Sequence, residues 1–249
     1  MLSALIQATA QLGDPAFRRV LLISVAASAV VFAALWLLAW LGISWAGEAL
    51  SDWLAGQEPG GFWSGLLAWI FGAAAVVSIL IATFFLFPAV MVLVMSMLLD
   101  DVAAAVERRH YPDRGPARPQ PWGEMLWGAV VFAAVTVAAN AVALPLYLLL
   151  LFAPPLNLFV FYLLNGYLLG REYFELVAVR RFAMPTVGQL RRAFRGRLMM
   201  AGVLVAVLMT IPLVNLVAPL IATAFMVHVF EGLRRREKFS AVVATPERG

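Results

Sequence analysis

Apolar residues in this chain come in long uninterrupted runs, not in the short alternations of a soluble fold. Residues 20–45 carry no charge. As a helix they exceed the roughly 20 residues that a hydrocarbon core about 30 Å thick requires, so they predict a first spanning helix. Before them, residues 1–19 mix apolar and polar positions and pass through Gly13-Asp14-Pro15 to Arg18-Arg19, which predicts a short interfacial segment. Residues 46–65 place Glu48, Asp52 and Glu58 among Gly56, Pro59, Gly60 and Gly61, the composition of an aqueous loop. A second charge-free run over 66–99 predicts a second span. Pro88 would kink it, tolerably where neighbours re-satisfy the freed backbone group. The helical pattern then continues through Asp100 and Asp101 to Arg109, projecting into water, and the proline-rich stretch 111–121 (YPDRGPARPQP) reads as a hinge or linker.

Two later apolar stretches are broken in the middle. Residues 125–170 are uncharged but interrupted at Asn140, Pro145 and Pro154-Pro155; from 156 to the first arginine, Arg171, a helix rises only about 22 Å. Residues 198–230 repeat the layout, with about 21 Å of helix before Pro212. Both breaks read P-x-x-N-L, at 154–158 and 212–216, and each is followed by a glutamate, Glu172 or Glu231. Limbs this short predict hairpins that only partly penetrate the bilayer, with full crossing of all limbs as the alternative. The mixed segment 171–197, rich in arginine, predicts amphipathic helices at a membrane surface.

Composition fixes the class. Apolar residues make up 63% of the chain and charged residues 13%, against roughly 25% charged in soluble domains. The expected fold is an all-α integral membrane protein: two full transmembrane helices, two partly penetrating helical hairpins and amphipathic cytoplasmic helices, forming one membrane domain over 1–249. Residues 1–14 lack the basic start and cleavage site of a signal peptide. The absence of cysteine removes disulfides, thiolate metal sites and cysteine nucleophiles.

Charge gives the orientation. The net charge is +4, but the basic residues sit at the ends of apolar runs, where they set topology, so nucleic acid is not an expected partner. Arg18 and Arg19 precede the first span. Arg108, Arg109, Arg114 and Arg118 follow the second. Seven arginines lie in 171–197, and Arg234, Arg235, Arg236, Lys238 and Arg248 lie in the tail. These are all the Lys and Arg residues, while 46–65 holds only acids. Both termini and both later basic segments are therefore expected in the cytoplasm of a multi-pass protein of a bacterial inner membrane.

The topology carries a functional expectation. Bent backbone at membrane depth needs a protein or aqueous surround, an arrangement used by channels and transporters, so neighbouring subunits should cover the hairpin tips. Arg18 and Arg19, at the N-terminus of the first span, present two guanidinium forks suited to a tetrahedral dianion; the simpler reading is inside-anchoring arginines. Asn157 and Asn215, at the hairpin breaks, are candidates to line an anion path or are ordinary turn and cap residues. Asn140 and Asn165 are weaker candidates as helix–helix contacts. Glu107, Arg108 and Arg109 suit a gate at the cytoplasmic mouth, or form a solvated helix end paired within one turn; Arg171, Glu172 and Glu175 share that choice. Trp36, Trp40, Trp45, Trp63 and Trp122 suit an interfacial belt.

His110 and His228, the two histidines, lack a second ligand at metal-binding spacing, and no Walker-type phosphate loop or nucleophile elbow occurs. No metal, cofactor or enzymatic activity is expected. The residues support a small-anion permease, with a non-transporting membrane scaffold as the alternative.

The sequence resembles the bacterial sulfate permease family CysZ, which shares its domain with etoposide-induced-protein-like membrane proteins. The likeness is carried by P-A-F-R-R at 15–19, V-E-R-R at 106–109 and I-P-L-V-N-L at 211–216, and it covers nearly the whole chain. It implies two long spans with two hemi-penetrating hairpins, a homo-oligomer, and uptake of sulfate or a related oxyanion for cysteine biosynthesis. It also implies an anion-binding turn at Ala16, Phe17, Arg18 and Arg19. The family's turn typically reads P-G-L-R-R; here Ala16 and Phe17 stand in place of its glycine and leucine.

Overall fold

The computed structural model describes residues 2–55 and 62–244, with some side chains in 38–93 outside the description. Among the described residues the chain is helical, without strands: α1 (Leu2–Ala10), α2 (Pro15–Ala55), α3 (Phe62–Ser96), α4 (Leu99–His110), α5 (Trp122–Leu149), α6 (Pro154–Ala178), α7 (Met184–Ala193), α8 (Arg195–Met209), α9 (Pro212–Asn215), α10 (Ala218–Arg234) and α11 (Glu237–Ala244). Among the described residues two helices are long and apolar enough to cross a membrane, residues Pro15–Gly42 of α2 and the whole of α5. Little of either is covered by protein, 22% and 6% of the apolar window respectively. Uncovered apolar helix faces suit lipid or a neighbouring subunit, not water.

Two expectations need correction. Most of the loop assigned to 46–65 is helix, because α2 runs on to Ala55 and α3 begins at Phe62. The stretch after Trp45 holds alanine, leucine and glutamate, good helix formers that let a helix continue past its apolar part; residues 56–61 lie outside the described residues. The segment assigned to surface helices from Arg171 onward starts instead as the last two turns of α6. Arg171 is there 5% exposed, its charge met by Glu175 at 3.0 Å. The helix passes the arginine because a local i,i+4 partner neutralises it. The second expected span, 66–99, falls on α3 and the turn after it, partly among undescribed side chains, and stays an expectation.

The chain divides into two units, residues 21–96 and residues 1–20 with 97–249. In the first, α2 and α3 run antiparallel and touch through large side chains. Phe32 meets Phe87 at a 5.5 Å ring separation, and four residues on, the Trp36 indole N–H donates to Thr83 Oγ1 at 2.8 Å. That hydroxyl donates in turn to the Ile79 carbonyl, so each polar atom in this apolar setting is matched.

In the second unit α10 is the hub, packed by α1, α4, α6 and α8 and buried along nearly its full length. Phe230 sits in an aromatic cluster with Phe174, Phe182 and Phe239, ring centroids 5.9–6.4 Å apart. α6 and α8 approach closest of all. A Cβ placed on Gly170 would overlap the Leu198 carbonyl, and one on Gly202 the Gly166 carbonyl. Gly166 and Gly170, spaced G-x-x-x-G, are what let the two backbones meet.

The helix starts at Pro154 and Ala218 solve their backbone problem locally. A helix start leaves four amides without intrahelical partners. In α6 the first two positions are Pro154 and Pro155, which have no N–H, and the Leu156 and Asn157 amides both donate to the Ala153 carbonyl. α10 follows the same plan: Pro219 lacks the donor, and Leu220 and Ile221 donate to Val217 O. The P-x-x-N-L pair therefore marks two helix starts, and the likeness ends there. Pro154 opens a helix of 25 residues, Pro212 one of four.

Candidate functional site

Asp14 shapes the entrance of α2. It precedes the helix, its Oδ1 accepts the Ala16 amide at 3.1 Å and its carbonyl accepts the Arg18 amide at 3.0 Å, the geometry of an N-cap. Its other oxygen pairs with Arg109 at 2.6 Å. The Ala16 hydrogen bond, foremost, holds the Asp14 carboxyl below its ordinary value; burial opposes this and Arg109 reinforces it. Ala16 thus has its amide engaged, and Phe17 is buried. Arg18 and Arg19 are exposed, and no ion pair or side-chain hydrogen bond joins them among the described residues. What this turn offers an anion is two guanidinium forks beside a helix end whose first donors are partly used.

Glu107, Arg108 and Arg109 part company. Glu107 is 8% exposed and joins Arg180 at 3.2 Å and Arg181 at 2.7 Å, from the turn after α6. Arg180 also reaches the Asp100 carboxylate at 3.3 Å. Arg181 bonds the carbonyls of Arg114, Gly115 and Pro116 at 3.0–3.1 Å, and the Arg118 amide donates to Arg180 O at 2.8 Å. Gly115, at φ +67°, provides the left-handed turn that points those carbonyls at one guanidinium. The proline-rich stretch is thereby pinned, not hinged. The pairing within one turn considered for Glu107 is replaced by long-range pairing, with the carboxylate inside the fold. Arg108 is exposed and, with Tyr111 and Arg180, lines a cavity of about 650 Å³.

The hairpin asparagines are separate from this cluster. Asn157 and Asn215 are half-buried in α6 and α9, their amides bonded to Ala153 O and Ile211 O. Asn140 and Asn165 donate their side-chain amides to carbonyls four residues back on their own helices, Thr136 O and Phe161 O, not to a neighbouring helix. Glu175 draws together Arg171 and Arg191, while Glu172 stays exposed.

One cluster escaped the sequence reading. Gln11 places its side-chain nitrogen 2.8 Å from His110 Nε2 and 2.9 Å from His228 Nε2, and Tyr111 Oη lies 2.8 Å from His228 Nδ1. Gln11 thus bridges the two rings, and Tyr111 bonds the other nitrogen of His228. Burial, then the Glu231 carboxylate, push the Tyr111 hydroxyl above its ordinary value. Glu231, 3% exposed, is matched by Arg114 at 2.9 Å and Arg234 at 3.3 Å. Two histidines far apart in sequence gave no spacing signal; the packing of α4 on α10 brings them together.

A family model described as Sulfate transporter CysZ/Etoposide-induced protein 2.4 matches residues 4–219. No curated protein matches the sequence.

Proposed function

The chain belongs to the sulfate transporter CysZ/etoposide-induced protein 2.4 family, and from that premise we propose that it is an inner-membrane permease for sulfate or a similar small oxyanion, supplying sulfur for cysteine biosynthesis. The observation that carries the reading to particular residues is Arg18 with Arg19. Two exposed guanidiniums, without acidic partners among the described residues, stand at the start of a 28-residue apolar helix segment. Planar forks of this kind bind tetrahedral oxyanions bidentately. Ala16 and Phe17 set the turn, with Asp14 fixing its geometry.

Arg108 and Arg109 flank the cytoplasmic mouth, and Glu107 holds that mouth in shape through Arg180 and Arg181. Asn157 and Asn215 supply polar positions along the hairpins. The basic segments orient both termini to the cytoplasm. The apolar surface of α5 is covered by lipid and by other copies in a homo-oligomer.

Sulfate flux into liposomes containing the purified protein tests the reading. Wild type moves sulfate, and Arg18→Ala/Arg19→Ala lowers the flux about tenfold or more, as expected for loss of charge-assisted hydrogen bonds. Flux unchanged in that variant removes the site. A wild type that moves no oxyanion removes the transport function.

A further inference from the structure

We propose that the cavity between α1, α10 and the start of α8 is a binding site for a small organic ligand with a tetrahedral oxyanion head, separate from the entrance at Arg18 and Arg19. The cavity measures about 330 Å³, at the small end of the range of small-molecule sites and roomier than a bare tetrahedral anion requires. Its walls bring together Arg197, Arg235, Arg236, His228, Tyr111 and Gln7. The three arginines come from two separate positions in the chain, and none has an ion pair or side-chain hydrogen bond among the described residues. The buried carboxylate nearby, Glu231, is already matched by Arg114 and Arg234, two other arginines.

Three guanidiniums line one concave space, Arg197 half-buried and Arg235 and Arg236 exposed, and no acid among the described residues pairs with any of them. Elsewhere in the same unit buried arginines have acids: Arg171 has Glu175, and Arg180 and Arg181 have Glu107. An anion is the missing counter-charge, and a phosphate or sulfate head fits the fork geometry of arginine.

The neutral wall is set up for the same ligand. Gln11 bonds the His228 ring from one side, and Tyr111 Oη lies 2.8 Å from its Nδ1 on the other, which holds the hydroxyl at the wall of the cavity it lines. On the positive-inside topology this face is cytoplasmic, so the ligand comes from the cytoplasm or from the headgroup of an anionic inner-leaflet lipid.

Calorimetric titration of the full-length protein in a nonionic detergent tests this without any gradient, so the outcome is independent of transport. The probes are phenyl phosphate, for the soluble source, and short-chain phosphatidic acid, for the lipid source. Saturable binding of phenyl phosphate establishes a soluble ligand class; binding of phosphatidic acid alone assigns the oxyanion site to lipid. Either is expected to weaken about 10- to 100-fold in Arg197→Gln/Arg235→Gln, as charge-assisted hydrogen bonds are lost. Arg192→Gln, on an exposed arginine that does not line the cavity, retains wild-type binding. Should the double variant elute as aggregate, Tyr111→Phe and Arg197→Lys carry the test, each weakening binding severalfold. Absence of saturable binding for both probes, or binding equal in wild type and the cavity variants, overturns the proposal.

Discussion

The basic residues of the protein divide into two regions with opposite arrangements. Around the turn between α6 and α7, arginines are matched and mostly buried: Arg180 and Arg181 close on Glu107, and Arg171 shares Glu175 with the half-buried Arg191. At the start of α2 and around the cavity beside α1, arginines stand without acids among the described residues: Arg18, Arg19, Arg197, Arg235 and Arg236. The first set does structural work, because a buried charge survives only with a partner. The second set has no such employment, and its charge is free for something that is not protein. Composition counts both sets alike; only the position of the acids tells them apart.

Breaking the matched region should have the largest effect. Glu107→Ala leaves Arg180 and Arg181 buried without their carboxylate, and we expect a loss of about 3–5 kcal/mol, read as a marked drop in melting temperature in detergent. A melting temperature equal to wild type would mean that Glu107 is not what holds the two arginines.

A smaller loss, about 1–3 kcal/mol, is expected from Gly202→Val, which drives a side chain into the Gly166 carbonyl and separates α6 from α8. Hydrogen exchange in those two helices should rise while that in α5 stays the same. Asp14→Ala removes the α2 cap for about 1 kcal/mol. Because the Asp14 carboxyl titrates below its ordinary value of 3.8, its contribution is whole above that value and disappears as pH falls through the lower folded one. Wild type and variant should therefore differ in melting temperature at pH 7 and converge well below pH 3.8, where a difference that persists would show the charge to be irrelevant. Smallest of all, Arg192→Gln, exposed and without an acid among the described residues, should shift stability by no more than about 0.5 kcal/mol.

The helical class and the breaks at Pro154 and Pro212 were legible in the sequence because both follow from local rules, apolar runs exceeding a bilayer and proline ending a helix; the interruption expected at Asn140 and Pro145 is not there, since α5 runs through both. Arg18 and Arg19 were legible only as basic residues at the start of an apolar helix, where they stand exposed. What was hidden depends on contacts across long separations. Glu107 meets Arg180 across 73 residues, and His228 meets Gln11 across 217. No periodicity reports such pairs. The reach of α6 past Arg171 was missed for a nearer reason: the arginine was read as an exit from the apolar phase, while Glu175 one turn later was its counter-ion. The Gly166 and Gly170 pair was readable as a G-x-x-x-G spacing and went unused.

The double proline that opens α6 has an effect on how this hairpin relates to its solvent. With no dangling donors at the helix start, placing that end in oil would carry little backbone penalty. Phe152, 93% exposed just ahead of it, offers the same surround an aromatic side chain, so backbone and side chain at this corner are both fitted to a greasy neighbour.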